Sequence, residues 1–437
     1  MTRVRIVALM GLVLLAGCSG NKQDKTPVRG ERIPVLAFEQ QIDPDPMIAD
    51  LKVTLPAPYE NADWAQPGGA PGKAMHHLAL PARLSRAWRA SIGDGSSKTA
   101  QLVATPVVAD GKLFAIDTQA RVVALDARTG QKLWTRQFSK KKEGKSLAFG
   151  GGVSYGDGKL VATTGYGIVA ALDPDTGAVL WSVDKTLPLR GGATVAQGRV
   201  FVLTQDNELY ALSLDDGKEL WDAAGIAENA GLLGAAPPAV SADTLVVGYS
   251  SGELNALRVE NGRVTWQDSL SRTGRLNALS SLVDIDGAPV IDRGRVFAIG
   301  HGGRMAALEL ATGERVWEAN LGGVHAPWVA GDFLYIVTND SEVVCLTRRD
   351  GRIRWIARLQ RYENVKKKKG LVSWAGPVLG GDRLVLTSSN GYVATLSPYT
   401  GDILSVEKLG DGTYLPPIIA GNTLYAITDD GDVAAYR

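Results

Sequence analysis

A chain of 437 residues with a 45% hydrophobic share and 21% charged residues is composed like a folded protein with a large core, not like a disordered one. Lys+Arg (47) balances Asp+Glu (46), so no global basic field exists to draw nucleic acid. Two cysteines, Cys18 and Cys345, exclude a disulfide framework, a CxxC zinc site and an iron–sulfur centre.

The first 17 residues join a basic start (Arg3, Arg5) to an apolar run from Ile6 to Ala16. That run is about half the ~20 residues a membrane-crossing helix needs. It ends in Leu15-Ala16-Gly17-Cys18, small residues before a cysteine, and reads as a secretory signal. Residues 18–83 carry nine prolines and little periodicity, and are expected to be an extended, flexible tether. Within it Met47–Leu55 is a candidate ordered piece, and Trp64 a candidate contact with the body. At ~3.3 Å per residue such a tether would hold the body far from its attachment.

From residue 84 onward the chain is a repeat. A turn glycine is followed four residues later by tryptophan at Gly130/Trp134, Gly177/Trp181, Gly217/Trp221, Gly262/Trp266, Gly313/Trp317 and Gly351/Trp355. Gly401 continues the series with Ser405 in the tryptophan slot. Spacings of 38 to 51 residues suit a four-stranded propeller blade. Within a unit the apolar period is two. The first reads as strands 102–108, 112–116, 121–126 and 132–138, divided by Asp110-Gly111, Thr118-Gln119 and Thr129-Gly130. The residue before the tryptophan is Leu133, Leu180, Leu220 and Val316 in four units. Strand alternation sends it to the face opposite the indole. Both faces of a blade between two neighbours are expected to be buried, with the indole against the next blade.

Units begin near Leu102, Gly151, Gly191, Ala236, Gly287, His325 and Ala375. After Leu409 only three strands remain: 414–419, 423–427 and 432–436. The missing fourth is 84–92, with Trp88 in the tryptophan slot. The expected fold is therefore all-β: an eight-bladed β-propeller of four-stranded antiparallel blades, its last blade closed by the N-terminal strand so that no sheet edge is left open.

The unit Ala-Leu-Asp-x-x-Thr-Gly-x-x-Leu-Trp, clearest at 124–134 and 171–181, resembles the quinoprotein or PQQ-like propeller repeat over residues 84–437. That likeness fixes fold far better than function, because enzymes and non-enzymes share it. The N-terminal pattern resembles the bacterial lipobox, which implies cleavage before Cys18 and its acylation; several acyl chains give a stable anchor. Ser19, in place of Asp, implies the outer membrane. The alternative is an ordinary signal peptide with an incidental cysteine.

A lipobox followed by one eight-bladed propeller resembles the BamB family of the outer-membrane barrel-assembly machinery. The resemblance implies a non-catalytic scaffold, lipid-anchored at the periplasmic face. Its implied partners are a BamA-type barrel-assembly protein and nascent β-barrel chains, not nucleic acid. Residues 279–289 (LSSLVDIDGAP) are similar to the family's Leu-Ser-Asp-Val-Asp-x-x-Pro segment, which implies partner contact by Asp284 and Asp286. The competing reading is of solvated loop carboxylates or turn formers. The family's second contact loop, Leu-x-Leu-Arg-Gly, is matched to Gly231-Leu232-Leu233-Gly234, which lacks the arginine and leaves Leu232 and Leu233 as apolar contacts.

Other chemistry is sparse. The adjacent Cys–Cys pair typical of PQQ dehydrogenases is absent, although a membrane-attached quinoprotein dehydrogenase remains the alternative function, and a glycan-binding propeller a third. No cofactor or metal site is expected. His76-His77 lies in the tether, His301 precedes Gly302-Gly303 in a turn, and His325 opens a blade; no HExxH, GxSxG or Walker pattern occurs. Cys345 sits in an apolar strand and reads as a buried, inert thiol. Two lysine clusters, 140–145 and 366–369, lie in long connections between blades. They read either as solvated loops or as contacts for anionic lipid headgroups or an acidic partner.

Overall fold

A computed structural model of the chain describes residues 42–139, 150–227, 236–271 and 283–437. From Asp43 on they form one compact unit. Eight four-stranded antiparallel sheets follow one another around a ring. The first is Val107–Ala109, Lys112–Ile116, Arg121–Asp126 and Lys132–Gln137, ordered from the axis outward. The eighth is Ile418–Ala420, Thr423–Thr428 and Asp432–Tyr436, completed by Arg86–Ser91 from the other end of the chain. That last pairing is antiparallel, with Trp88 opposite Ala435, and Ser85 and Arg437 exchange backbone hydrogen bonds of 2.7 and 3.0 Å at its end. The closure expected from the sequence is therefore the one observed. Every blade repeats the same order. The turn after each inner strand thus emerges at one mouth of the ring, and the connection into each inner strand at the other.

Seven tryptophans join the blades. Trp88, Trp134, Trp181, Trp221, Trp266, Trp317 and Trp355 each lay the indole on the turn glycine of the next blade, from Gly130 round to Gly401. Each Nε1 donates to a carbonyl of that blade, at 2.8–3.2 Å. A methyl group on Gly262 would sit 2.6 Å from Trp221 Cε3, so that glycine makes room as well as taking a φ of +71°. Gly111, by contrast, has open space where a Cβ would go and is required only by its φ of +71° in the hairpin with Asp110.

The residue before the tryptophan is not buried, contrary to strict alternation. Leu133, Leu180 and Leu220 are 45–51% exposed. A β-bulge explains it: Ala211 pairs with Trp221 but Leu212 pairs with Glu219, which leaves Leu220 unpaired and turned outward. The same slip recurs in the other ladder blades. Across the sheet each indole faces a small residue: Ala435, Ala124, Ala171, Ala211, Ala256, Ala307 or Cys345. Cys345 is thus buried because its position accepts only a small side chain, and burial pushes its thiol pKa well up.

The missing seventh repeat of the motif also has a cause. The blade after Ser405 takes its two outer strands from opposite chain ends, Asp432–Tyr436 and Arg86–Ser91. It has no turn glycine on which an indole could lie, and Ser405 instead shares a 2.8 Å hydrogen bond with Thr395.

Residues 43–83 are not the free tether expected from their prolines. Val53, Trp64, Met75, Leu78 and Leu80 are buried in the main core, and a short 3₁₀ turn, Pro46–Ile48, is capped by Asp45. The segment lies across one mouth of the ring and touches the inner strand of every blade. Trp64 exchanges backbone hydrogen bonds with Val108 (2.8 and 2.9 Å), and Ala65 accepts from Tyr155. The Gln66 side chain bonds Val195 in both directions. Pro71 and Gly72 accept from Val240 and Ile291. His76 O accepts from Trp328 Nε1, which stacks on Trp64 at 6.3 Å. Leu78 bonds Leu379 and Gly381, and Asn61 bonds Ile419 and Gly421. The physical reason is that eight inner strands present unpaired backbone groups toward the axis. The segment's own backbone hydrogen bonds are confined to short turns and to the pairing of Tyr59 with His77 and Ala79, so this proline-rich chain keeps other backbone groups free to satisfy those of the inner strands.

Candidate functional site

At the mouth opposite this strap, two inter-blade connections meet. The first is Leu187-Pro188-Leu189-Arg190-Gly191, between Val179–Asp184 and Thr194–Ala196. It is clamped on both sides: Leu189 N donates to Thr164 O, Arg190 N to Leu203 O at 2.9 Å, and Leu189 is fully buried. The second runs from Val283 to Val290. Ile285 packs into the space left by Gly248, and Ile285 N donates to Tyr249 O while His301 N donates to Asp284 O.

These clamps aim three charged side chains at one another. Arg190 Nη2 donates to Asp284 Oδ1 at 2.8 Å and to Asp286 Oδ1 at 3.3 Å, with all three side chains at least 95% buried. Burial and the neighbouring Asp284 charge push the Asp286 carboxyl up to about 7, although Arg190 pulls the other way. Two carboxylates and one guanidinium out of water favour retention of one proton. His301, nearby, is held below its ordinary pKa by burial. The cluster is an electrostatic lock between the roots of two loops, not an acid–base pair facing a substrate.

The expectations for these residues need two corrections. Asp284 and Asp286 are not solvated loop carboxylates; both are buried against Arg190. The arginine of the Leu-x-Leu-Arg-Gly motif is not missing. It is Arg190, one blade earlier than the match at 231–234, and residues 187–191 satisfy the motif letter for letter. The pairing of Arg190 with both aspartates sets this match apart from the one at 231–234. Leu232, Leu233 and Cys18 lie outside the described residues.

Of the histidines, His77 is buried and structural, with Nδ1 2.8 Å from Pro56 O and Nε2 accepting from Asp382 N. Among the described residues no helix is long and apolar enough to cross a membrane.

The model of the family described as "Outer membrane protein assembly factor BamB" matches residues 140–357. A curated BamB from Alkalilimnicola ehrlichii is 31% identical over 351 residues, which cover 80% of this chain and 87% of that protein. The chain belongs to the BamB family of outer membrane protein assembly factors. The Escherichia coli K12 BamB is 28% identical over 388 residues, covering 79% of this chain and 87% of its own. The crystal structure of BamB from Moraxella catarrhalis superposes with a TM-score of 0.67 at 21% identity, covering 81% of this chain and all of that one. A quinohemoprotein alcohol dehydrogenase from Pseudomonas putida HK5 reaches the same TM-score at 14% identity, over 88% of this chain and 83% of its own. A model for the β-propeller domain of glucose, ethanol and alcohol dehydrogenases matches residues 81–159. These enzymes share the propeller with the BamB family, whose named members are assembly factors and not enzymes.

Proposed function

We propose that this member of the BamB family works by presentation. It is a non-catalytic scaffold of outer-membrane protein assembly that offers the strap-free mouth of its ring to a BamA-type barrel-assembly protein. The supporting observation is the Arg190–Asp284–Asp286 lock, which ties the connection entering the third blade to the one entering the fifth. In sequence, 228–235 falls between the third and fourth blades and 272–282 between the fourth and fifth, and the second directly precedes Val283 and the lock. Fixed loop roots reduce the ordering cost of docking. Asp284 and Asp286 then serve partner binding by holding the loop's root, while Leu232, Leu233 and the apolar residues of 272–282 supply contact. Acylation of Cys18, after loss of residues 1–17, anchors the chain at the periplasmic face of the outer membrane. Nascent barrel chains are further partners brought near by the same docking.

The test is site-specific photo-crosslinking in intact outer membranes. A photo-reactive residue at Leu232 or Leu279 should capture the barrel-assembly protein, and one at Arg293, in a turn at the strap mouth, should not. Capture from Arg293 alone would reverse the docking face. In parallel, Cys18→Ser should release the chain from the membrane fraction; retention there would end the anchor assignment.

A further inference from the structure

The connection between the sixth and seventh blades is a small structure of its own. Tyr362–Asn364 and Lys369–Leu371 form a two-stranded hairpin, with Tyr362 opposite Leu371 and Asn364 opposite Lys369. Its turn is defined by Asn364 Oδ1 accepting from Lys367 N at 3.0 Å and by positive φ at Lys368 and Gly370. Its base is fastened to the propeller. Val372 is buried and its carbonyl accepts from Ser341 Oγ at 3.1 Å; Trp374 Nε1 donates to Gln360 O at 2.9 Å; Arg361 pairs with Asp340 at 2.6 Å. The hairpin therefore projects from a rooted base.

Four consecutive lysines, Lys366 to Lys369, occupy the projecting end, all exposed. None is in an ion pair among the described residues. Residues 361–372 hold five basic side chains against one acidic, Glu363. Val365 (66% exposed) and Leu371 (68%) flank the lysines and point to no core. Four neighbouring like charges without counter-charge repel one another, and two exposed aliphatic side chains lose hydrophobic stabilisation. A surface that supplies negative charge and an apolar layer within a few ångströms relieves both. An acidic protein surface would answer the lysines but leave the two aliphatic side chains unaccounted for.

We infer that the 361–372 hairpin is a lipid-contact foot: Lys366–Lys369 engage the phosphates of an anionic bilayer, and Val365 and Leu371 enter its headgroup layer. This assignment stands apart from the docking reading, since it uses neither the Arg190 lock nor the loops beside it. Each lysine at an anionic surface is worth about a fivefold gain in partitioning, so four set a ceiling of several hundredfold at low salt, reduced by screening.

The experiment uses the chain from Ser19 onward, which lacks any acyl anchor and keeps every described residue. Partitioning is measured by sedimentation with phosphatidylcholine vesicles containing about one third phosphatidylglycerol, and with pure phosphatidylcholine. The wild type should bind the anionic vesicles in a salt-dependent way and not the neutral ones. Replacing Lys366–Lys369 by Gln should lower binding at least tenfold; replacing them by Arg should not. Circular dichroism melting confirms that both variants fold. Val365→Cys, labelled with an environment-sensitive dye, should shift to the blue on anionic vesicles. Cys345 is buried and does not compete for the label. Equal binding by the Gln variant, or an unshifted dye, would overturn the inference. So would loss of an acidic protein partner with vesicle binding intact.

Discussion

Trp221 and Leu220 are adjacent, both large and apolar, and the structure assigns them opposite weights. Trp221 is 8% exposed, lies on Gly262, tilts against Phe201 at 5.8 Å and donates to Val259 O at 2.9 Å. A buried indole removes roughly 200 Å² from water, about 5 kcal/mol at ~25 cal/mol/Å². Alanine keeps part of that area but leaves a cavity, so Trp221→Ala is expected to cost ~3–5 kcal/mol. With ~2.1 cal/mol/K of unfolding entropy per residue over roughly 400 residues, the melting temperature should fall by about 4–6 °C. Leu220, 47% exposed on its bulge, should cost less than ~0.5 kcal/mol as alanine, a shift under about 1 °C. Both are read by circular dichroism melting of the purified protein. Gly262→Ala sharpens the test, because its Cβ meets the indole and its φ is +71°. In the Trp221→Ala background the clash disappears and only the backbone strain remains. Equal losses for Trp221→Ala and Leu220→Ala, or a Gly262→Ala effect that ignores the indole, would refute the packing argument.

Arg190→Ala should destabilise by ~3–5 kcal/mol, because it leaves Asp284 and Asp286 buried without their cation; a melting loss under about 2 °C would contradict the lock. Asp286 holds its proton up to about 7 in the folded chain and releases it at ordinary carboxylate pH when unfolded. Its contribution to stability is therefore full below about pH 4 and lost as pH rises through about 7. Relative to Asp286→Asn, the wild type should lose melting temperature from pH 5 to pH 8, and a constant difference would count against the raised pKa. Cys345→Ala should melt within about 2 °C of wild type, since six blades already place alanine at that position. In the native protein Cys345 should resist iodoacetamide; rapid labelling would show that its blade opens. Trp64→Ala should cost ~3–5 kcal/mol by the same measure, whereas a free tether would show no change.

The ring was legible because its joints are chemical. A glycine with positive φ and an indole four residues later recur wherever one blade meets the next, and the exception at Ser405 coincides with the one blade that lacks a turn glycine. Exposure of Leu220 was not legible, since a bulge breaks the two-residue period without leaving a mark in residue type. The strap was not legible for a physical reason: proline content reports the absence of regular helix or sheet within a segment, which a free linker and a chain bonded to foreign edges share. At the site the aspartates were found but their surroundings were not. Burial of Asp284 and Asp286 depends on Arg190, 94 and 96 residues away, and only the folded ring brings them together.

The strap has a further consequence for how the molecule comes apart. Asn61 holds the eighth blade and Trp64 the first, so the four residues from Asn61 to Trp64 bridge the seam where Arg86–Ser91 meets Asp432–Tyr436. The circle is thus fastened twice, by two stretches that lie one after the other near the N-terminus. Tension on the polypeptide ahead of Asp43 arrives at a hub that shares it among eight spokes before it can reach the seam.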